Sequence, residues 1–168
     1  MVTRRGFTLI ELMIGLAIFG LLTMLAMPEF SKLMANLQIR TASEALLNGL
    51  QTARSEAVKR NGNVQLILGT QTGYSVAIVS TGEVIRNRSA NEGSRTATIT
   101  VTPPGATMVT FNSLGLPASN PDGSAPIAQL DVGSAALTPA DVRPMRVMAA
   151  SVVRMCDPQV AAGDPRAC

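Results

Sequence analysis

The chain has 168 residues and a formal charge of +3, two units of which come from Arg4 and Arg5. The remainder carries no field that would gather nucleic acid by charge alone. Aromatic residues make up 3% and Trp is absent, so a core must be built from Val, Ile, Leu, Met and Ala. There is no histidine, which removes the commonest general base and the commonest neutral metal ligand.

The first element begins after Arg4-Arg5-Gly6 and runs from Phe7 to Met27, a stretch of mostly apolar residues interrupted by Glu11. A helix of about 20 such residues covers the ~30 Å hydrocarbon core of a bilayer. The carboxylate is expensive there, on the order of 2.5–3.5 kcal/mol, unless it finds a partner or lies near the interface. A cleaved secretory signal would be shorter and would end in a small-x-small site, but Met27 is followed by Pro28-Glu29-Phe30-Ser31-Lys32. The leading arginines favour a cytoplasmic N-terminus with the rest of the chain outside.

Gly6-Phe7-Thr8-Leu9-Ile10-Glu11-Leu12, behind a basic leader, resembles the class III signal of type IV pilins and type II secretion pseudopilins. The resemblance implies that a prepilin peptidase cuts between Gly6 and Phe7 and methylates the new amine of Phe7. It also implies that Glu11 is an assembly contact, pairing in a filament with the Phe7 amine of a neighbouring subunit. Two desolvated charges then offset a cost that neither could bear alone. Pro28 matches the helix proline of this family; it removes one backbone donor and kinks the helix. The plain alternative is a signal anchor.

Beyond Pro28 the pattern stays helical and becomes amphipathic. Ile39, Ala42, Leu46, Gly49, Leu50, Ala53 and Ala57 share one face of a 3.6-residue period, with Lys32, Gln38, Glu44, Gln51, Ser55 and Lys59 opposite. Lys59 and Arg60 suit the last turn, and Asn61-Gly62 is a stop signal. A helix from Phe7 to Arg60 would be roughly 80 Å long, more than a domain of this size can bury. Ala53-Arg54-Ser55-Glu56-Ala57-Val58-Lys59-Arg60-Asn61 is similar to the helix end of the GspH/FimT family of minor pseudopilins and pilins.

From Asn63 the period changes to two. Strands are expected at Val64–Leu68, Tyr74–Val79, Glu83–Arg86, Thr96–Val101 and Thr107–Phe111, separated by Gly and Pro turns. Phe111 to Pro117 resembles the phenylalanine-to-glycine turn of the same family. Residues 117–139 read as a long Ala/Ser/Gly/Pro loop with a short strand at Leu130 and Val132. Met145–Ala149 and Val152–Cys156 read as a closing hairpin. Cys156 and Cys168, behind an export-type N-terminus, suggest a disulfide closing the tail, against two unpaired thiols or half of a metal site.

The fold expected is α+β, a long N-terminal helix packed on a small antiparallel sheet, as in type IV pilins. Its parts are a leader at 1–6, a transmembrane and polymerisation half at 7–28, an amphipathic half at 29–62 and a β-rich head at 63–168. The function expected is that of a minor pilin or pseudopilin at the tip or initiation complex of a filament. The subunit would sit in the inner membrane with its head periplasmic before assembly. Its partners would be the prepilin peptidase, other minor and major pilins and the assembly platform. A type II secretion pseudopilus is the first alternative.

The second alternative is a DNA receptor at a pilus tip. Some relatives of this family bind DNA through Gly-Arg-x-Arg in the last hairpin; here Ser151-Val152-Val153-Arg154 keeps only the second arginine. Arg143, Arg146, Arg154 and Arg166 still offer a small basic face, and Arg86, Arg88 and Arg95 another, without aromatic residues for base stacking. No nucleophile, base and orienting residue occur in a usable set. An enzyme, a cofactor and a metal are therefore not expected.

Overall fold

A computed structural model describes residues 6–149 and 152–168. The leader arginines Arg4 and Arg5, and Ser151 of the last hairpin, lie outside them. By compactness the chain divides after Met34 into an N-terminal unit and a larger unit, the head, that begins at Ala35.

One helix, α1, runs Leu9–Arg60. It starts two residues later than the expected Phe7 because Thr8 stands as its N-cap. At the other end Asn61 adopts a left-handed φ of 50°, its N–H meets the Val58 carbonyl and the Gly62 N–H meets the Ala57 carbonyl. That is a Schellman closure with asparagine in the position glycine usually takes. Glu56 accepts from Lys59 and Arg60 in the final turn, and its carboxyl is held below the ordinary range chiefly by the Arg60 hydrogen bond.

The head contains two antiparallel sheets where one was expected. The first has the order β3-β2-β1-β5-β6, from β1 (Val64–Leu68), β2 (Tyr74–Ile78), β3 (Val84–Arg88), β5 (Met108–Phe111) and β6 (Pro117–Ala118). The second has the order β4-β7-β8-β9, from β4 (Ala97–Thr102), β7 (Gln129–Ser134), β8 (Met145–Met148) and β9 (Arg154–Cys156). The division follows from pairing: β5 returns beside β1, so β4 takes β7 as its partner instead. The segment before β7 ties the two together, since Ile127 N–H donates to Met108 and Ala128 N–H to Thr102.

The short strand expected at Leu130 and Val132 is present as β7, and together with β6 it shortens the loop expected over 117–139. β7 is six residues long and paired on both sides. Gly133 hides its full length and Asp131 weakens it, both poor strand formers. Asp131 is tolerated because Arg146 stands opposite it on β8, with Nε 2.6 Å from Oδ1 and Nη2 3.3 Å from Oδ2.

Both sheets pack on one stripe of α1. Ile39, Ala42, Leu46, Leu50, Ala53 and Ala57 are fully buried and share a single core with Leu66, Tyr74, Phe111, Leu130 and Val147. Gln38, expected on the solvated side, instead accepts from the N–H and hydroxyl of Thr96 at 3.0 and 2.8 Å and fixes the entry to β4. Asn36 does similar work for the loop before β8, donating to the Asp141 carbonyl and accepting from the Arg143 N–H. The apolar pattern located the core stripe but not these two amides at its rim.

Gly49 allows a very close approach of helix and sheet. A Cβ there would sit 2.6 Å from Cε2 of Tyr74. Tyr74 is 1% exposed, and its hydroxyl has no hydrogen-bond partner among the described residues. Gly49→Ala should therefore destabilise the head by about 1–3 kcal/mol through overpacking. Tyr74→Phe should leave stability unchanged or raise it, since it removes a buried hydroxyl that bonds to nothing. Denaturant unfolding of the full chain in detergent compares the two; a large loss in Tyr74→Phe would contradict this account of the pocket.

Candidate functional site

The first half of α1 is long and apolar enough to cross a membrane, and none of that stretch is buried. From Gly6 to Phe30 every residue is exposed except the half-buried Thr23. Phe7 is 90% exposed, and nothing lies within 4 Å of where Cβ atoms would stand on Gly6, Gly15 and Gly20. The helix continues through Pro28, whose carbonyl accepts from the Ser31 hydroxyl at 2.7 Å. Thr23 likewise turns its hydroxyl back onto the Phe19 and Gly20 carbonyls. Polar side chains in this stretch thus satisfy themselves on their own backbone.

Glu11 follows the same rule in a more specific form. Its Oε2 accepts from both the N–H and the hydroxyl of Thr8, each at 3.2 Å, while Thr8 Oγ1 accepts from the Glu11 N–H at 3.3 Å. This is a reciprocal capping box, which satisfies donors that a helix start otherwise leaves bare. Thr8 was not among the expected functional residues. The signal was present as Thr-x-x-Glu directly before an apolar run.

The arginines expected to form a basic face are largely engaged elsewhere. Arg146 holds Asp131 with two nitrogens, and Gln129 Nε2 donates to the same carboxylate at 2.6 Å. Arg154 Nη2 donates to the Cys168 carbonyl at 3.0 Å. Arg166 pairs with Asp164, Nη2 to Oδ2 at 2.9 Å. Arg143 is tied through its backbone N–H to Asn36. In the second group, Arg88 is 7% exposed and bonds to the Thr72 and Glu92 carbonyls and the Ser94 hydroxyl. It staples the turn after β3 to the turn before β2 and is not a surface cation. Formal charge was legible in the sequence; its neutralisation by cross-strand and tail partners was not.

Cys156 and Cys168 are joined by a disulfide, with Cα atoms 5.1 Å apart. The enclosed tail folds back on itself through a hydrogen bond of 2.7 Å from the Asp157 N–H to the Arg166 carbonyl. Among the described residues no group of three or more His, Cys, Asp or Glu is placed to hold a metal ion.

Comparison with known proteins agrees with this geometry. The family model described as type II transport protein GspH matches residues 42–151, and the prokaryotic N-terminal methylation motif matches residues 1–27. A pilin-like protein, PilA1, of Thermus thermophilus is 41% identical over 69 residues. That match spans 41% of this chain and 43% of the relative. Two crystal structures of the type IV minor pilin FimU of Pseudomonas aeruginosa share the fold. One has a TM-score of 0.52 at 18% identity, covering 74% of this chain and 92% of that one. The other has a TM-score of 0.51 at 17% identity, covering 74% and 97%.

One ion pair gives a direct electrostatic test. The Arg166 side chain, helped by its backbone N–H, holds the half-buried Asp164 carboxyl down at about 2. A depressed carboxylate adds its stabilisation above its unfolded pKa of about 3.9 and loses it as the pH falls through the folded value. The tail pairing should thus be intact above about pH 4 and lost near pH 2. Carboxyl NMR should place the Asp164 midpoint near 2, and in Arg166→Ala it should move up toward the ordinary carboxylate range. An unmoved midpoint would contradict the pairing.

Proposed function

Since the chain belongs to the GspH family of pilin-like type II transport proteins, we propose that it is a minor structural subunit of a type IV pilus, entering the tip or initiation complex. One observation carries this reading: a prepilin-type motif opens a helix whose first half is bare apolar surface holding a single carboxylate, Glu11, next to its start. Such a surface needs a membrane first and other helices afterwards. The family and the fold are those of structural subunits, not of enzymes.

In this reading the leader 1–6 is removed by a prepilin peptidase between Gly6 and Phe7, and the Phe7 amine is methylated. Residues 7–28 serve as membrane anchor and then as polymer contact, 29–62 are the amphipathic half of the helix, and 63–168 form the β-rich part of the head with its disulfide. The subunit waits in the inner membrane with its N-terminus cytoplasmic and its head periplasmic. On leaving the bilayer, Glu11 meets the Phe7 amine of a neighbouring pilin. Pro28 breaks one backbone hydrogen bond and lets the helix bend there. The assembly platform and the other pilins are its partners.

A second reading is a subunit of a type II secretion pseudopilus, favoured by the description of the matching family model. The two differ in what is lost when the chain is deleted. Loss of surface pili supports the first; retained pili with blocked export of a secreted protein supports the second.

Gly6→Ala should abolish processing, read as no mobility change when a prepilin peptidase is co-expressed. Normal cleavage would remove the leader assignment. Glu11→Ala should leave membrane insertion intact and sharply reduce recovery of the subunit in sheared filaments; undiminished recovery would mean that the charge pair does not operate here.

A further inference from the structure

The Thr8–Glu11 box does more than begin a helix. Both donors of Thr8 converge on one carboxylate oxygen, Oε2, and Glu11 Oε1 has no hydrogen-bond partner among the described residues. We propose that Thr8 is the positioning residue of the Glu11 assembly contact, holding Oε2 within its own subunit so that Oε1 is the acceptor presented to a neighbour's amine. This rests on the reading of Glu11 as an assembly contact and specifies how the carboxylate is made ready for it.

The physical reasoning has two parts. A carboxylate in a low-dielectric setting is costly in proportion to its unsatisfied acceptor capacity. An N–H and an O–H already on Oε2 reduce that cost before any partner arrives. The exposed helix start then offers a carboxylate of fixed orientation, since a glutamate held at one oxygen no longer samples its full range of rotamers. An incoming ammonium donates to Oε1 without displacing the cap, so the helix start stays satisfied while the contact forms. The box keeps the same roles throughout: Thr8 N–H donates to Glu11 and Thr8 Oγ1 accepts from the Glu11 N–H.

Three variants of the full-length chain separate these roles. Thr8→Val keeps the shape and the Glu11 charge but loses the hydroxyl. Thr8→Ser restores the hydroxyl. Glu11→Gln keeps the cap, because an amide oxygen also closes a capping box, but loses the charge. Each is expressed with the peptidase, and only processed chain is scored in sheared filaments. Thr8→Val should lower incorporation about tenfold, in the range of a lost helix cap or charge-assisted hydrogen bond, and Thr8→Ser should restore it. Incorporation of Thr8→Val at the parent level, or failure of Thr8→Ser to rescue, overturns the proposal.

A second measurement does not depend on assembly. In micelles, hydrogen exchange at the Thr8 amide of the full chain should be slow in the parent and in Glu11→Gln, and fast in Glu11→Ala. Equal exchange in all three overturns the proposal whatever the filaments show. Slow exchange in the parent together with normal incorporation of Glu11→Gln instead removes the charge-pair reading, and with it the positioning role, leaving Thr8 as a helix cap alone.

Discussion

The head depends on the burial of one narrow helical stripe. Ile39, Leu46 and Leu50, with the small residues between them, form the common floor on which both sheets rest. Each large aliphatic side chain fully withdrawn from water contributes about 1.5–3 kcal/mol. Neither sheet has an aromatic-rich face of its own to close a core; among the described residues Tyr74 and Phe111 are the only fully buried rings. Remove the stripe and two small sheets remain, linked at Ile127 and Ala128. The use of alanine and glycine at positions 42, 49, 53 and 57 follows from this shared role. Small side chains let strands approach the helix backbone closely enough for a core poor in large residues to remain close packed.

The same helix obeys an opposite rule before its buried stripe begins. From Leu9 onward its large apolar side chains are exposed, and the few polar groups among them are satisfied on the spot: Thr8 with Glu11, Thr23 on its preceding turn, Ser31 on Pro28. Unsatisfied polar groups are tolerable in water and expensive in hydrocarbon. Local satisfaction is the arrangement a helix needs if its surroundings are to change from lipid to protein without its hydrogen bonds being rebuilt. The head follows the more familiar practice, in which distant parts of the chain supply the partners: Gln38 for Thr96, Arg146 for Asp131, Asn120 for Thr110.

This difference explains what could be read from the residues alone. Features set by neighbours in sequence were legible: the extent of the apolar run, the buried stripe with its helical period, the stop at Asn61-Gly62, and most strand positions to within a residue or two. Features set by partners far along the chain were not. The pairing that makes Asp131 tolerable within its strand, with Arg146 opposite it, has no local sign. Arg88 reads as a surface charge until the turn carrying Glu92 and Ser94 folds over it. The pairing of β5 with β1, which creates two sheets from one series of strands, has no local signature. In the N-terminal segment Thr8 and Glu11 form a local pair, with the sequence signature of a capping box.

The disulfide has a mechanical consequence. Cys156 closes β9, an edge strand paired among the described residues to β8, and Cys168 is joined to it across a separation of 12 residues. A pull on Cys168 therefore bypasses the intervening tail and arrives at β9 through the sulfur atoms. The tail's slack, about 40 Å of extended chain at the usual span per residue, cannot be drawn out. Load on this end of the head is borne at once by the β8–β9 hydrogen bonds and by the Arg154 contact to the Cys168 carbonyl. For a subunit exposed to traction, the cross-link replaces a compliant leash with a short stiff strut.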